Sequence, residues 1–320
     1  MHLALALLVA LGVLWACYGF EVRPASGPDR VPTDVLVTMT HPFGSAGLAL
    51  QKLSRHAWLP LRSHLSGFVM MRDQQAGTRE CYLLGVTARH GWWYYFPVAI
   101  AVKTPVPMLI LLLLSLALFR RLRREDGFSE VTLLLPVAVM LYFAMRSPIN
   151  IGLRHVLPIY PLLFVFVSKT ARLLRGGRLG WMLLLAALAL WYLQSAFSIY
   201  PHYLAYFNEL AGGPSQGHKF LVDSNLDWGQ DLKRLAEFQR RHPEARPLRL
   251  AYFGSAPPSA YGVEREPLAT GTPVTGWVAA SVTLLRLQPD GYDWLKAHRP
   301  VATLGYSINV YEIGGRRALE

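Results

Sequence analysis

The sequence predicts a multi-span α-helical membrane bundle over residues 1–199, followed by a C-terminal extracytoplasmic α/β domain over 200–320. Three observations predict it. The chain of 320 residues is 52% hydrophobic with a mean hydropathy of +0.26, too apolar for an ordinary soluble domain. About five segments approach the roughly 20 apolar residues a helix needs to cross a bilayer core of about 30 Å. Much of the formal charge of +12 sits in two short loops between those segments, at Arg120, Arg121, Arg123 and Arg124, and at Lys169, Arg172, Arg175 and Arg178.

The apolar segments are approximately 2–20, 97–119, 131–147, 153–168 and 180–199, the third and fourth short and marked by Pro136, Pro148, Pro158 and Pro161. The first lacks a basic leader, and Trp15 is too bulky for a lipoprotein signal ending at Cys17, so it reads as a retained span. A run that opens at Met1 also leads us to expect sequence upstream. The positive-inside rule sets both basic loops in the cytoplasm, with 21–96 and everything after about residue 200 outside. Lys+Arg and Asp+Glu nearly balance within 200–320, which argues against nucleic acid as a partner. Two cysteines, Cys17 and Cys81, indicate neither a disulfide framework nor a thiolate metal site.

In the second domain a helix is expected from about Leu226 to Arg241 and a strand at Leu248–Phe253. Further on, Trp277–Thr283 reads as a strand, Tyr292–His298 as a helix and Val301–Ile313 as a strand or hairpin.

Several polar groups gather at the outer ends of the spans under this topology. Arg89 and His90 precede the aromatic run Gly91-Trp92-Trp93-Tyr94-Tyr95-Phe96-Pro97, whose rings suit the headgroup layer. Lys103, in Lys103-Thr104-Pro105, must reach outward, pair with an acid or meet an anionic ligand. Arg154 brings a planar fork of donors suited to phosphate, and His155 a donor or proton relay, against the plainer reading of a lipid-headgroup contact. Together these five residues make a phosphate on a lipid carrier a coherent partner. The stretch Asp223-Ser224-Asn225-Leu226-Asp227-Trp228-Gly229-Gln230-Asp231 looks like the start of a calcium loop, but Trp228 stands where the turn glycine belongs and Arg234 where the bidentate glutamate belongs. Ser224 and Asp227 instead have the spacing of a capping box, and no metal is called for.

These motifs carry a resemblance. Gly91–Pro97 with Lys103-Thr104-Pro105, then Arg154-His155-Val156-Leu157-Pro158-Ile159-Tyr160-Pro161, then Tyr206-Phe207-Asn208-Glu209-Leu210-Ala211-Gly212-Gly213-Pro214 running into Asp223–Leu232, resemble the family 39 type glycosyltransferases. That group is similar to protein mannosyltransferases and to the aminoarabinose transferase of lipid A. The likeness covers essentially the whole chain and falls on the family's C-terminal half. It implies a GT-C architecture in the bacterial inner membrane. The implied reaction transfers a sugar from a polyprenyl-phosphate donor to a protein or lipid acceptor on the outer face, by direct displacement with a carboxylate assisting the acceptor. It implies no further cofactor. Lys103, Arg154 and His155 are carried over as donor-phosphate contacts, and Asp223, Asn225 and Asp227 as site-facing candidates. The family's catalytic acid lies in its first outer loop, to which nothing here corresponds. No motif singles out Asp29, Asp34 or Asp73 as a base, and the runner-up is a non-catalytic membrane protein that binds a glycan or a partner.

Overall fold

The computed structural model describes residues 2–24, 58–60, 63, 64, 67, 80–122 and 127–314. Asp29, Asp34, Asp73, Arg123 and Arg124 lie outside the described residues. The chain forms two compact units, 1–78 and 79–320, and the boundary anticipated at 199/200 falls inside the second. In the first unit, α1 (His2–Cys17) is apolar all round. A two-stranded antiparallel ladder follows, β1 (Val22–Pro24) against β2 (Trp58–Pro60).

The second unit opens on the hairpin β3 (Cys81–Leu83) and β4 (Val86–Ala88). The expected straight span at 97–119 is instead two helices, α2 (Tyr95–Lys103) and α3 (Val106–Ala117), bent by 115°. Pro105 causes the break: it has no N–H to donate, and it drives Thr104 to an extended ψ of 134°. Two helices, α4 (Phe128–Arg146) and α6 (Leu179–Ser198), are long and apolar enough to cross a membrane; counting the bent pair as one span makes three among the described residues. Large apolar side chains such as Phe143, Leu183 and Leu190 point outward from them, as suits helices facing hydrocarbon rather than water. The segment expected as a span at 153–168 is a 3-10 turn, Leu153–Val156, followed after Pro158 by the 10-residue α5 (Ile159–Ser168), too short to cross alone.

The ends of these helices sort cleanly. At one end the Lys169 ammonium meets Glu130 at 3.2 Å, both buried, and lies 3.7 Å from the centroid of the Phe166 ring. Arg172 donates to the Leu122 carbonyl at 2.7 Å, so the two basic segments adjoin. At the opposite ends of α3 and α5 lie Lys103 and Arg154. One apolar core, including Tyr95, Phe96, Ile159 and Phe166, continues into Phe207, Leu221, Leu226 and Val282, so the helices and the start of the C-terminal region are packed as one.

The C-terminal region is a mixed five-stranded sheet in the order β6-β5-β7-β9-β8. Its strands are β5 (Leu248–Ala251), β6 (Arg265–Pro267), β7 (Gly276–Ser281), β8 (Ala302–Leu304) and β9 (Ile308–Ile313). Strand β5 runs parallel to both β6 and β7, whereas β9 is antiparallel to β7 and β8. Alternation along the strands divides the core in two: Leu248, Leu250, Ala279, Ile308 and Val310 face α7 (Leu232–Arg241), while Ala251, Val278, Ala280, Tyr311 and Ile313 face Tyr292 and Leu295. The hairpin expected at 301–313 is present. The strand expected through Thr283 stops at Ser281, where α8 (Val282–Leu287) begins. The helix expected at 292–298 is a short turn, Pro289–Tyr292, running into a 3-10 stretch to Ala297.

Candidate functional site

Three segments far apart in sequence meet along α2. The first is the approach to α2. Gly91 has φ +64°, and a Cβ there would lie 2.5 Å from Asn150 Oδ1 and 3.0 Å from the Pro148 carbonyl; only glycine allows this approach. The gap lets the Trp92 N–H donate to Asn150 Oδ1 at 2.5 Å.

The second segment, 150–156, rests on the third, 223–228. Gly152 lets Ser224 in, since a Cβ at 152 would fall 2.1 Å from Ser224 Oγ, and the Ser224 hydroxyl donates to the Ile151 carbonyl. Asn225, only 1% exposed, joins all three. Its Oδ1 accepts the Leu153 N–H at 3.0 Å, and its Nδ2 donates to the Tyr95 hydroxyl at 2.8 Å and to the Val222 carbonyl at 3.2 Å.

Lys103 lies under this junction. Its ammonium donates to the carbonyls of Leu204 at 2.8 Å and Asn225 at 2.6 Å, 4.3 Å from the centroid of the Phe207 ring. It is half-buried, and two of its three donors tie loops together. The helix break beside it frees carbonyls that need donors. Asn208 supplies them: its side-chain amide donates to Ala101 and Thr104 at 2.6 and 2.8 Å, and its backbone N–H to Val102 at 2.9 Å. Asn208 stands in the Tyr206–Pro214 motif, but sequence reasoning gave it no role. An amide beside a Lys-Thr-Pro break, when each lies in a motif, was the available signal.

Arg154 is the group this junction leaves open. Its side chain is exposed, its guanidinium carbon lies 4.6 Å from the centroid of the half-exposed Trp228 ring, and among the described residues no carboxylate pairs with it. Stacking on an indole fixes the plane of the fork while leaving its N–H edge free for an oxyanion. Trp228 is held in turn by Gln230, whose Oε1 accepts the Trp228 N–H at 2.8 Å while its Nε2 donates to the Leu226 carbonyl at 3.0 Å. His155 is exposed beside Arg154, its ring edge-on to Phe96 at 6.4 Å. Arg89 and His90 are exposed just before Gly91.

The acids of the third segment turn inward. Asp223 adopts φ +57°, and its Oδ1 accepts the Ser224 N–H at 2.6 Å. Asp227 is fully buried; Oδ1 accepts the Gly229 N–H at 2.8 Å, and Oδ2 has no hydrogen-bond partner. Burial pushes the Asp227 carboxyl up to about 7, against the Gly229 N–H that Oδ1 accepts, and the charges of Asp231 and Asp223 add to the rise. Asp231 is also buried, but it is answered by Ser307 at 2.7 Å and Arg234 at 3.0 Å. The expected capping box does not form. Ser224 is drawn to Ile151 and Asp227 to Gly229, and helix α7 starts only at Leu232. Among the described residues no group of three His, Cys, Asp or Glu side chains is placed to hold a metal ion.

Compared with family models, curated proteins and solved structures, the chain matches none of them.

Proposed function

We propose that this chain is an integral membrane glycosyltransferase of the family 39 type, using a polyprenyl-phosphate sugar as donor at the outer face of the bacterial inner membrane. The observation that carries the reading is the exposed Arg154 guanidinium, stacked on Trp228 with no carboxylate partner. The first and third motifs of the resemblance, with Asn150 and Leu153 just before the second, form the junction behind it. Arg154, with His155 beside it, takes the donor phosphate; Arg89 supplies positive charge and His90 a hydrogen-bonding group from the neighbouring loop. Lys103 and Asn225 position the segments that carry Arg154 and Trp228. In this reading α4 and α6 cross the bilayer with α3 and α5 packed between them in a GT-C-like bundle. The basic ends at 120–122 and 169–178 are cytoplasmic and the sheet domain is outside.

Arg154→Lys tests the phosphate contact, because an ammonium keeps the charge but loses the bidentate fork. Binding of a polyprenyl-phosphate sugar by the protein in lipid nanodiscs should weaken at least tenfold with the melting temperature unchanged. Unchanged affinity would return Arg154 to a headgroup contact.

A specific observation favours binding without catalysis as a second reading. The carboxyls of Asp223, Asp227 and Asp231 are 7%, 0% and 1% exposed, so none opens beside Arg154 to serve as a base. Sugar transfer from labelled donor by the purified chain would overturn the binding-only reading and place a base among the residues present.

A further inference from the structure

A second recess lies away from Arg154, between the 215–218 segment, α8 and the β8–β9 hairpin. It has a volume of about 440 Å³, and its lining includes His218, Arg286, Lys296, His298, Tyr306 and Asn309. This volume is within the range of small-ligand sites. No Asp or Glu is among its lining residues. Lys296 is paired with Asp293 at 2.6 Å, but the half-buried Arg286 has no carboxylate partner among the described residues. The side chains lining the cavity therefore carry net positive charge. Desolvation and the positive charges of Arg286 and Lys219 push the His218 imidazole down to about 4, against a backbone hydrogen bond at Ser215 that favours its charged form.

A half-buried guanidinium without a counter-ion is costly, and a carboxylate or phosphate offering two oxygens offsets that cost best. The remaining walls combine neutral hydrogen-bonding groups, Ser215, Thr303 and Asn309, with tyrosine rings. Such walls suit a hydroxylated ring better than a purely apolar one.

We infer that this recess is a binding site for a monosaccharide-sized ligand carrying one oxyanion, a sugar phosphate or a uronic acid, with Arg286 holding the anion and the polar wall holding the ring. The site is separate from the donor contact proposed at Arg154 and stands whether or not that reading holds.

The experiment titrates the full chain in detergent with glucose 1-phosphate, glucuronate, inorganic phosphate and glucose, following heat of binding and melting temperature. At least one of the two anionic sugars should bind at least tenfold more tightly than both glucose and inorganic phosphate. Which anionic sugar binds better tells phosphate from carboxylate as the source of the anion. Arg286→Gln should weaken that binding at least tenfold, Arg286→Lys should restore part of it, and Arg154→Gln should leave it unchanged. Equal binding of glucose, no binding by either anionic sugar at millimolar concentration, or binding that survives Arg286→Gln would overturn the inference. Because Arg154 could also take an anionic sugar, the ligand comparison is repeated on Arg154→Gln, where the binding that remains belongs to the recess, and Arg286→Lys gives a second reading should Arg286→Gln fail to fold.

Discussion

Replacing Asn225 with alanine removes the side chain through which the three segments meet. Three hydrogen bonds are lost, from the Leu153 N–H and to the Tyr95 hydroxyl and the Val222 carbonyl. At about 1 kcal/mol net for each bond, with a further penalty of about 1–2 kcal/mol for polar groups left without partners, the loss should be about 4 kcal/mol. For a unit of this size each kcal/mol moves the melting temperature by about 2–4 °C, so a fall of roughly 10 °C is expected. Tyr95→Phe removes one bond while the Asn225 amide keeps Val222, and should cost about 1 kcal/mol. Tryptophan fluorescence of the detergent-solubilised protein, recorded for both single variants and the double, completes the cycle, with a coupling of about 1 kcal/mol expected between the two sites. A shift of under about 2 °C for Asn225→Ala would refute the argument that this amide holds the segments together.

Three further outcomes follow from the same geometry. Gly91→Ala should destabilise the protein by about 2 kcal/mol, because the new Cβ meets both Asn150 Oδ1 and the Pro148 carbonyl at a positive φ; thermal unfolding reads it, and a neutral result would mean the loop moves freely. Glu130→Gln alone should cost about 3 kcal/mol by leaving the Lys169 ammonium buried without its counter-charge, whereas Glu130→Gln with Lys169→Met should recover much of that loss; equal melting temperatures for the single and double variants would contradict this. Asp227 gives a pH test. Its folded value, about 7, lies above the ordinary aspartate value of 3.8, so its contribution to stability is fully present below about pH 3.8 and is lost as pH rises through about 7. Between pH 4 and 8 the unsubstituted protein should lose stability relative to Asp227→Asn, by an amount on the order of a few kcal/mol; parallel curves would show that the carboxyl is not held protonated.

Of the residues that meet at the junction, the sequence singled out Lys103 by its place before a proline and Asn225 through the resemblance, whereas the parts played by Asn150, Gly152 and Asn208 were not read. Three strands of the sheet, β5, β7 and β9, fall in apolar runs bounded by turn residues that read as strands, whereas β6 at Arg265–Pro267 was not anticipated. Competition with distant partners was not legible. The spacing of Ser224 and Asp227 suits a helix start, but Ile151 and Gly229 take those side chains first. Lys103-Thr104-Pro105 reads equally well as the start of a straight span. The 115° bend there is supported by Asn208, more than 100 positions away. The strand reading of Val282 and Thr283 rested on their β-branched side chains, whereas in the fold Thr283 Oγ1 accepts the Asp223 N–H while the backbone turns into α8.

The unequal lengths of the helices bear on how a ligand reaches Arg154. At 1.5 Å per residue, α4 and α6, of 19 and 20 residues, rise about 28 and 30 Å, but α3 and α5, of 12 and 10 residues, rise only about 18 and 15 Å. Glu130 near the start of α4 meets Lys169 just past the end of α5, so these two helices are level at that end and differ in height at the other. The chain from Ser147 to Pro158 descends along that difference, and Arg154 lies on the descent. If α4 and α6 cross the bilayer, Arg154 lies below the end of α4 that is farther from Glu130. A carrier whose tail stays dissolved in the leaflet can then bring its phosphate in sideways, without leaving the lipid, while a water-soluble partner must come down from above.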